Sequence, residues 1–218
     1  MSTGSAEAQQ QAPLTVQVWS DYICPFCHIG RERIAYLERE YDAQVQWLPF
    51  DLHPEYPDEG ILRVSLVATY GQEAIDRVAA LAEASGLPHN PNPDVVPRSR
   101  KALELAEWSR GFGDDAHRRM HDALMDAYWR DGRDIGDWAV LEDVANSVGL
   151  DGMVGRQSVQ HGAFGPVVDD STTWAHSAGI TGVPAMVLNG RLLVSGVVPH
   201  EELDDAVRAV READPVEG

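Results

Sequence analysis

The 218-residue chain has little cysteine and little positive charge. It contains only two cysteines, and its 17 lysines and arginines stand against 35 aspartates and glutamates. The resulting net charge of −18 repels phosphate groups, so we expect neither a nucleic acid nor a membrane surface as a partner. No apolar run approaches the roughly 20 residues that are needed to span a bilayer.

Several motifs that mark common enzyme classes are also missing. The chain has no G-x-G-x-x-G or Walker pattern, which argues against nucleotide binding, and no G-x-S-x-G elbow of a serine hydrolase. The first 13 residues lack the basic start and apolar stretch of a secretory signal. We therefore expect a disordered tail over residues 1–13 and a cytoplasmic protein.

Both cysteines lie in the segment SDYICPFCHIG, residues 20–30, and are separated by two residues. Four interpretations compete: a redox dithiol, half of a zinc site, a haem attachment site and two inert core thiols. Zinc requires three or four protein ligands, and the chain has no second cysteine pair. The C-x-x-C-H pattern also fits haem attachment, which generally requires export. A redox dithiol is favoured, because the zinc and haem sites lack these requirements and a lone cysteine pair in the cytoplasm is more often catalytic, redox-sensing or metal-binding than structural.

Alternation of apolar residues predicts strands near both ends of the chain and helices between them. Strands over 14–20 and 44–50 flank a helix over 25–41, which indicates a right-handed parallel βαβ unit. Asn189-Gly190 predicts a hairpin turn between two apolar strands. Further helices are predicted over 72–85, 99–110, 114–130, 137–148, 168–178 and 201–211, with Asp137 as an N-cap and a proline-rich loop over 87–99. The economical arrangement is one mixed sheet built from both ends, with the helices as an insertion.

Three segments in this order resemble the DsbA family of thioredoxin-fold oxidoreductases, and within it the cytoplasmic FrnE-like group. They are SDYICPFCHIG, DGRDIGDWAVLEDVANSVGLD, and GITGVPAMVLNG followed by VSG. The resemblance covers about residues 14–212 and implies an α/β thioredoxin fold with a large all-helical insertion. The expected division is a tail over 1–13, thioredoxin-fold parts over 14–59 and 181–212, a helical insertion over 60–180, and a second tail over 213–218.

The resemblance also implies roles for individual residues. Cys24 and Cys27 correspond to the catalytic cysteines, and Pro184 corresponds to the cis-proline, with Val183 before it. Pro25 and Phe26 form the intervening dipeptide, where Phe26 replaces a frequent histidine or tryptophan. Relatives often have an aromatic residue after the cis-proline, where this chain has alanine. Both departures leave the substrate preference open.

The spacing of the two cysteines is suited to thiol–disulfide exchange. Residues three apart on a helix lie on one face with their Cβ atoms about 5–6 Å apart, close enough to form a disulfide. Cys24 would lie at a helix N-terminus, which favours a thiolate. The helix dipole stabilises the thiolate by about 0.3–1 kcal/mol, whereas lowering the pKa by one unit requires about 1.4 kcal/mol. A larger decrease in the pKa of Cys24 must therefore come from hydrogen bonds to its sulfur. Cys27 is expected to be more buried and to act as the resolving thiol.

The resulting prediction is an oxidoreductase that acts by mixed-disulfide exchange on protein or small-molecule thiols. No metal and no resident cofactor are expected, with glutathione as a candidate redox partner; monomer and homodimer remain open. One alternative is a binding or chaperone module that uses an apolar groove around Phe26, Val183 and Pro184 without turnover. Another is a glutathione-dependent isomerase-like enzyme, against which the retained dithiol argues.

Histidines raise two further hypotheses. His28 follows Cys24 by four residues, so a protonated ring could stabilise the thiolate. We favour the alternative that His28 packs at the rim of the site without an electrostatic role. His117 and His121 have the spacing of a metalloprotease motif, but Arg118 stands where that motif needs glutamate. A solvated helix face is predicted instead.

Overall fold

The computed structural model describes residues 13–213. The disordered tails predicted over 1–13 and 213–218 lie outside the described residues, apart from Pro13 and Ala213. No helix within the described part of the chain combines the length and the apolar character that crossing a membrane requires.

A four-stranded mixed sheet is built from both ends of the chain, in the order β2-β1-β5-β6. Its strands are β1 Thr15–Ser20, β2 Gln44–Pro49, β5 Ala185–Leu188 and β6 Leu192–Ser195. β1 pairs in parallel with β2 and antiparallel with β5, and β5 and β6 form an antiparallel hairpin. The predicted βαβ unit and the predicted hairpin are both confirmed.

Nine helices occur in the described residues, and five of them lie between the proline-rich loop and the β5–β6 hairpin. They are α1 Pro25–Tyr41, α2 Val64–Tyr70, α3 Gln72–Ala84, α4 Arg100–Arg110, α5 Asp114–Trp129, α6 Trp138–Ser147, α7 Gly152–Gln160, α8 Gly165–Ser177 and α9 His200–Ala213. Seven of them match predicted helices within a few residues. The fold is thus the predicted α/β thioredoxin fold with a large helical insertion.

Four elements were not predicted. The sequence of α2, VSLVATY, is rich in β-branched residues, and α7 contains two glycines, so neither has a clear helical pattern. β3 Ile61–Leu62 and β4 Val95–Val96 form a two-residue antiparallel pair, and β4 falls inside the predicted proline-rich loop. Strands of two residues are too short to produce an alternating pattern.

Most buried apolar residues belong to a sheet layer or a helical layer, and a third, smaller cluster around Trp19 and Phe50 joins the sheet to α8. In the first, α1 and α9 cover one face of the sheet, where Val18, Leu37 and Val207 are at most 1% exposed. In the second, α4, α5 and α6 pack around Leu124 and Tyr128. The two cysteines belong to the helical cluster although they follow directly from β1. The dithiol segment therefore joins the two layers.

Candidate functional site

The dithiol segment leaves the sheet at the end of β1 and enters α1. Cys24 is the N-cap of α1 in an extended conformation, Pro25 is the first helical residue, and Cys27 lies in the first turn. The backbone N–H of Cys24 donates to the Asp21 carbonyl at 3.2 Å, which closes a tight turn. Proline suits the first helical position because the N–H it lacks would have no partner there.

Both thiols are free and buried, and they have different surroundings. Cys24 is 3% exposed and Cys27 is 0% exposed. The Cys24 thiol donates to the Val183 carbonyl at 3.4 Å. Burial, followed by the neighbouring Cys24 sulfur, raises the pKa of the Cys27 thiol well above its usual value. Cys27 therefore keeps its proton at neutral pH while Cys24 is reduced.

The β5–β6 hairpin completes the site on the other side of Cys24. The Val183–Pro184 peptide bond is cis, and Pro184 is buried. Gly30, on the inner face of α1, allows the close approach of this proline, because a Cβ at position 30 would lie 3.2 Å from Pro184 Cγ. Sequence reasoning missed Gly30, although a glycine inside a helical pattern is itself a signal of close packing.

Asp21, also missed, holds the turn before Cys24 from behind. Its fully buried carboxylate accepts hydrogen bonds from the Ile23 N–H at 3.0 Å, the Leu52 N–H at 2.9 Å and the Ser99 hydroxyl at 2.9 Å. Burial raises the pKa of Asp21 to about 6, although these three hydrogen bonds lower it. The carboxylate thus links the dithiol turn to the loop after β2 and to the start of α4. The sequence signal that could have identified Asp21 is its position three residues before Cys24.

Cys24 borders a chamber of about 600 Å³, which we call the α2–α3 chamber. Cys24, Pro25, Phe26 and Val183 line it on one side, and the helices α2 and α3 line it on the other. Phe26 is 42% exposed. Three other residues proposed for the site are not among the described residues that line the chamber, namely Cys27, His28 and Pro184. Cys24 is therefore the thiol that a bound molecule would meet.

His28 lies in the interior, so the prediction that it packs at the rim is wrong. Its side chain has no exposed surface, its Nε2 atom is 2.7 Å from the Pro88 carbonyl oxygen, and its ring stacks on Trp129 at 5.2 Å. Burial lowers the pKa of His28 to about 4. The ring is therefore neutral at neutral pH and supplies no positive charge to the Cys24 thiolate.

The solvated helix face predicted for His117 and His121 is also wrong. The two residues are 4% and 2% exposed, and the His121 ring stacks on Trp47 at 3.9 Å. His117 Nε2 lies 3.5 Å from a carboxylate oxygen of Glu107. This face of α5 packs against β2 and α4, which a helical pattern alone does not reveal. Within residues 13–213, no group of three or more histidine, cysteine, aspartate or glutamate side chains is placed to hold a metal ion.

Comparisons with known proteins give the same fold. Residues 15–208 match the family model described as a DSBA-like thioredoxin domain. The uncharacterized protein YwbO of Bacillus subtilis is 25% identical over 195 residues, which cover 88% of this chain and 94% of YwbO.

Two solved structures illustrate the structural similarity. A probable DsbA oxidoreductase from Streptomyces coelicolor has a TM-score of 0.84 and 26% identity, with 94% of this chain and 93% of that chain covered. The cytosolic disulfide reductase DsbM from Pseudomonas aeruginosa, in a structure with GSH, has a TM-score of 0.66 and 18% identity, with 91% and 97% covered. At that identity, the second similarity shows the fold alone.

Proposed function

Because the chain belongs to the DSBA-like thioredoxin domain family, we propose that it is a thiol–disulfide oxidoreductase whose reacting pair is Cys24 and Cys27. The observation that carries this proposal is the position of Cys24. It caps α1, donates to the Val183 carbonyl and borders the α2–α3 chamber, while Cys27 lies behind it with a raised pKa. A sulfur that faces the bound molecule, with a second and protonated thiol behind it, is the arrangement that thiol–disulfide exchange needs.

In the reductive direction, the Cys24 thiolate attacks one sulfur of a substrate disulfide. A Cys24–substrate disulfide forms and the other substrate sulfur leaves as a thiolate. Cys27 then loses its proton and attacks the Cys24 sulfur, which forms the Cys24–Cys27 disulfide and releases the second substrate thiolate. The protein loses two electrons and the substrate gains them. Oxidation of substrate thiols is the same sequence in reverse.

The other proposed site residues position the substrate. Pro25 fixes the first turn of α1 behind Cys24, and Phe26 offers an exposed ring beside it. Val183 borders the sulfur and its carbonyl already accepts from Cys24, and Pro184 follows it at the start of the β5–β6 hairpin. Backbone groups next to a nucleophile can pair with a bound substrate. We propose no role for His28 in tuning Cys24.

The finer identity is part of the same proposal. We place the chain in the FrnE-like group of its family, as a cytoplasmic enzyme with thiol or disulfide substrates and with glutathione as a redox partner. The description of DsbM as a cytosolic reductase with GSH supports this choice, together with the complete dithiol of this chain.

The proposal is tested with two cysteine variants. Wild-type protein should catalyse insulin reduction and dithiol oxidation, and Cys24→Ala should fall to the uncatalysed background, because no nucleophile remains in front. Cys27→Ala should accumulate a stable mixed disulfide at Cys24, visible by intact-mass spectrometry. Equal activity of wild type and Cys24→Ala would favour a binding module over an enzyme. The Cys24–Cys27 potential, measured against glutathione, then gives the direction of electron flow.

A further inference from the structure

The walls of the α2–α3 chamber are apolar faces that are largely left out of the buried core. α2 has no buried residue, and Ala82 is the single buried residue of α3. The apolar side chains of these helices instead line the chamber, namely Leu66, Tyr70, Ile75, Val78 and Leu81. In most proteins, such a face packs against the core, because burying apolar surface stabilises by about 25 cal/mol per Å². Here that face is available to a bound molecule with an apolar body.

The charge of the chamber is opposite to that of the whole protein. Among the described residues that line it, two are arginines and none is aspartate or glutamate, although the chain has 35 acidic residues. The guanidinium of Arg63 donates to the Asn92 carbonyl and, at 2.8 Å, to the Tyr128 hydroxyl. Both partners are neutral, so the positive charge of Arg63 is not compensated by them. Arg77, in contrast, is 70% exposed and pairs with Glu73 at 3.0 Å.

The same walls are poorly suited to an extended polypeptide. A peptide carries an N–H and a carbonyl at each residue, and these groups need hydrogen-bond partners once they are buried. The chamber offers mostly aliphatic and aromatic side chains, and Cys24 is only 3% exposed. Its volume of about 600 Å³ lies within the range of about 300–1,000 Å³ that is typical of small-molecule sites. Glutathione, a polar peptide with several charges, would leave most of its polar groups without partners there, so as a redox partner it should react with Cys24 more slowly than the substrate does.

We propose that the substrate that reaches Cys24 is a small-molecule disulfide or thiol with an apolar body and one anionic group, which Arg63 binds. This inference rests on the proposed oxidoreductase function and specifies its substrate class. The apolar body occupies the space between α2, α3 and Phe26, and the sulfur lies against Cys24. An anion at Arg63 gains a charge-assisted hydrogen bond in a largely apolar surrounding.

A single-turnover experiment with fully reduced protein tests the proposal without a second reductant. The disulfide probes are 4,4′-dithiodibenzoate (aromatic and anionic), 4,4′-dithiodipyridine (aromatic and uncharged), oxidised glutathione and insulin. Each probe takes two electrons from Cys24 and Cys27 and yields two thiols. Every rate is divided by the rate of the same probe with dithiothreitol, so that intrinsic reactivity cancels. We expect the normalised rate of dithiodibenzoate to exceed those of glutathione disulfide and insulin by about tenfold or more.

Three variants assign the preference to the chamber. Arg63→Gln should slow dithiodibenzoate by about tenfold and leave dithiodipyridine unchanged, because dithiodipyridine has no anionic group for Arg63 to bind. Arg208→Gln, a matched control on an exposed arginine of α9 that pairs with Asp205, should leave both rates unchanged. Ile75→Trp, which fills part of the chamber, should slow both aromatic probes. It keeps the test informative if Arg63→Gln does not fold.

The outcomes separate the two proposals. A normalised rate for insulin or glutathione disulfide equal to that of dithiodibenzoate would overturn the substrate class and leave the oxidoreductase function standing. Equal slowing of both aromatic probes by Arg63→Gln would overturn the role of the anion. If wild type reacts with no probe faster than Cys24→Ala does, the oxidoreductase function itself fails.

Discussion

Single residues around the two cysteines fall into those that face the chamber and those that hold the dithiol turn from behind. Cys24 and Phe26 belong to the first group, and Asp21 and Gly30 to the second. The second group touches no bound molecule, yet it determines where the Cys24 sulfur lies. Substitutions in this second group should therefore change the free energy of unfolding.

Asp21 should make the stability of the protein depend on pH in a defined direction. Its pKa is about 6 in the folded protein, and an unfolded aspartate has a pKa of about 3.9. The folded state therefore binds more protons between these values, so the contribution of Asp21 is full below about pH 4 and is lost as the pH rises through about 6. The loss amounts to about 3 kcal/mol.

Urea unfolding of wild type and Asp21→Asn from pH 4 to 7 isolates this contribution, because asparagine does not titrate. The stability of wild type relative to the variant should decrease as the pH rises. Parallel pH curves for the two proteins would show that Asp21 keeps its ordinary pKa.

Gly30→Ala should destabilise the protein by about 1 kcal/mol, although alanine is normally the better helix former. The new Cβ would lie 3.2 Å from Cγ of Pro184, whose rigid ring is buried and cannot move aside easily. Gly111→Ala is the control, because its Cβ would meet a backbone oxygen at an ordinary 3.4 Å. Chemical denaturation should show a lower midpoint for the first variant alone; an unchanged midpoint for Gly30→Ala would contradict the close approach.

At the scale of elements, helix starts differ in how their N–H groups are satisfied. α1 begins at Cys24 without a side-chain cap, which leaves its N-terminal groups available near the thiol. α6 and α7 begin at Asp137 and Asp151, whose carboxylates accept from the N–H groups of Ala139 and Val154. Side-chain caps are thus found at α6 and α7, and α1 shares its uncapped start with α2, α3, α4, α5 and α8.

Asp137→Ala should lower the free energy of unfolding by about 1 kcal/mol, since the Ala139 N–H loses an acceptor at 2.9 Å. Asp137→Ser keeps an oxygen at the cap position and should lose only a fraction of that amount. Urea titrations monitored by circular dichroism measure both values. A similar loss in both variants would mean that the carboxylate acts by some means other than capping.

At the scale of the whole molecule, ion pairs connect the helical region to the end of the sheet. Arg100, at the start of α4, contacts Glu104 at 2.6 Å, Asp169 on α8 at 2.6 Å and Asp51 after β2 at 3.2 Å. It also donates to the Gly165 carbonyl at 2.8 Å. One guanidinium therefore holds together three parts of the chain that are distant in sequence.

Arg100→Met should destabilise the protein by about 3 kcal/mol, because Asp51, whose side chain is 4% exposed, would lose its positive partner. Arg77→Met, which breaks the exposed pair with Glu73, should cost less than about 0.5 kcal/mol. Equilibrium unfolding of both variants compares the two. Equal losses of unfolding free energy would indicate that the ion pairs of Arg100 stabilise the fold no more than an exposed pair does.

The sequence by itself determined the local features of this protein. The alternation in β1 and β2, the periodicity of α1 and the Asn189-Gly190 turn predicted their elements, because strand, helix and turn preferences depend on neighbouring residues. The cysteine spacing and the hairpin segment were likewise sufficient to predict the family and the fold.

Only the tertiary structure decided which side chains are buried and what they meet. The interior position of His28, the buried carboxylate of Asp21 and the α2–α3 chamber arise from contacts between segments far apart in the sequence. Burial sets the pKa of a titratable group through the loss of water, and it is a property of the surrounding fold. For that reason, the reacting pair was visible in the sequence and its surroundings were not.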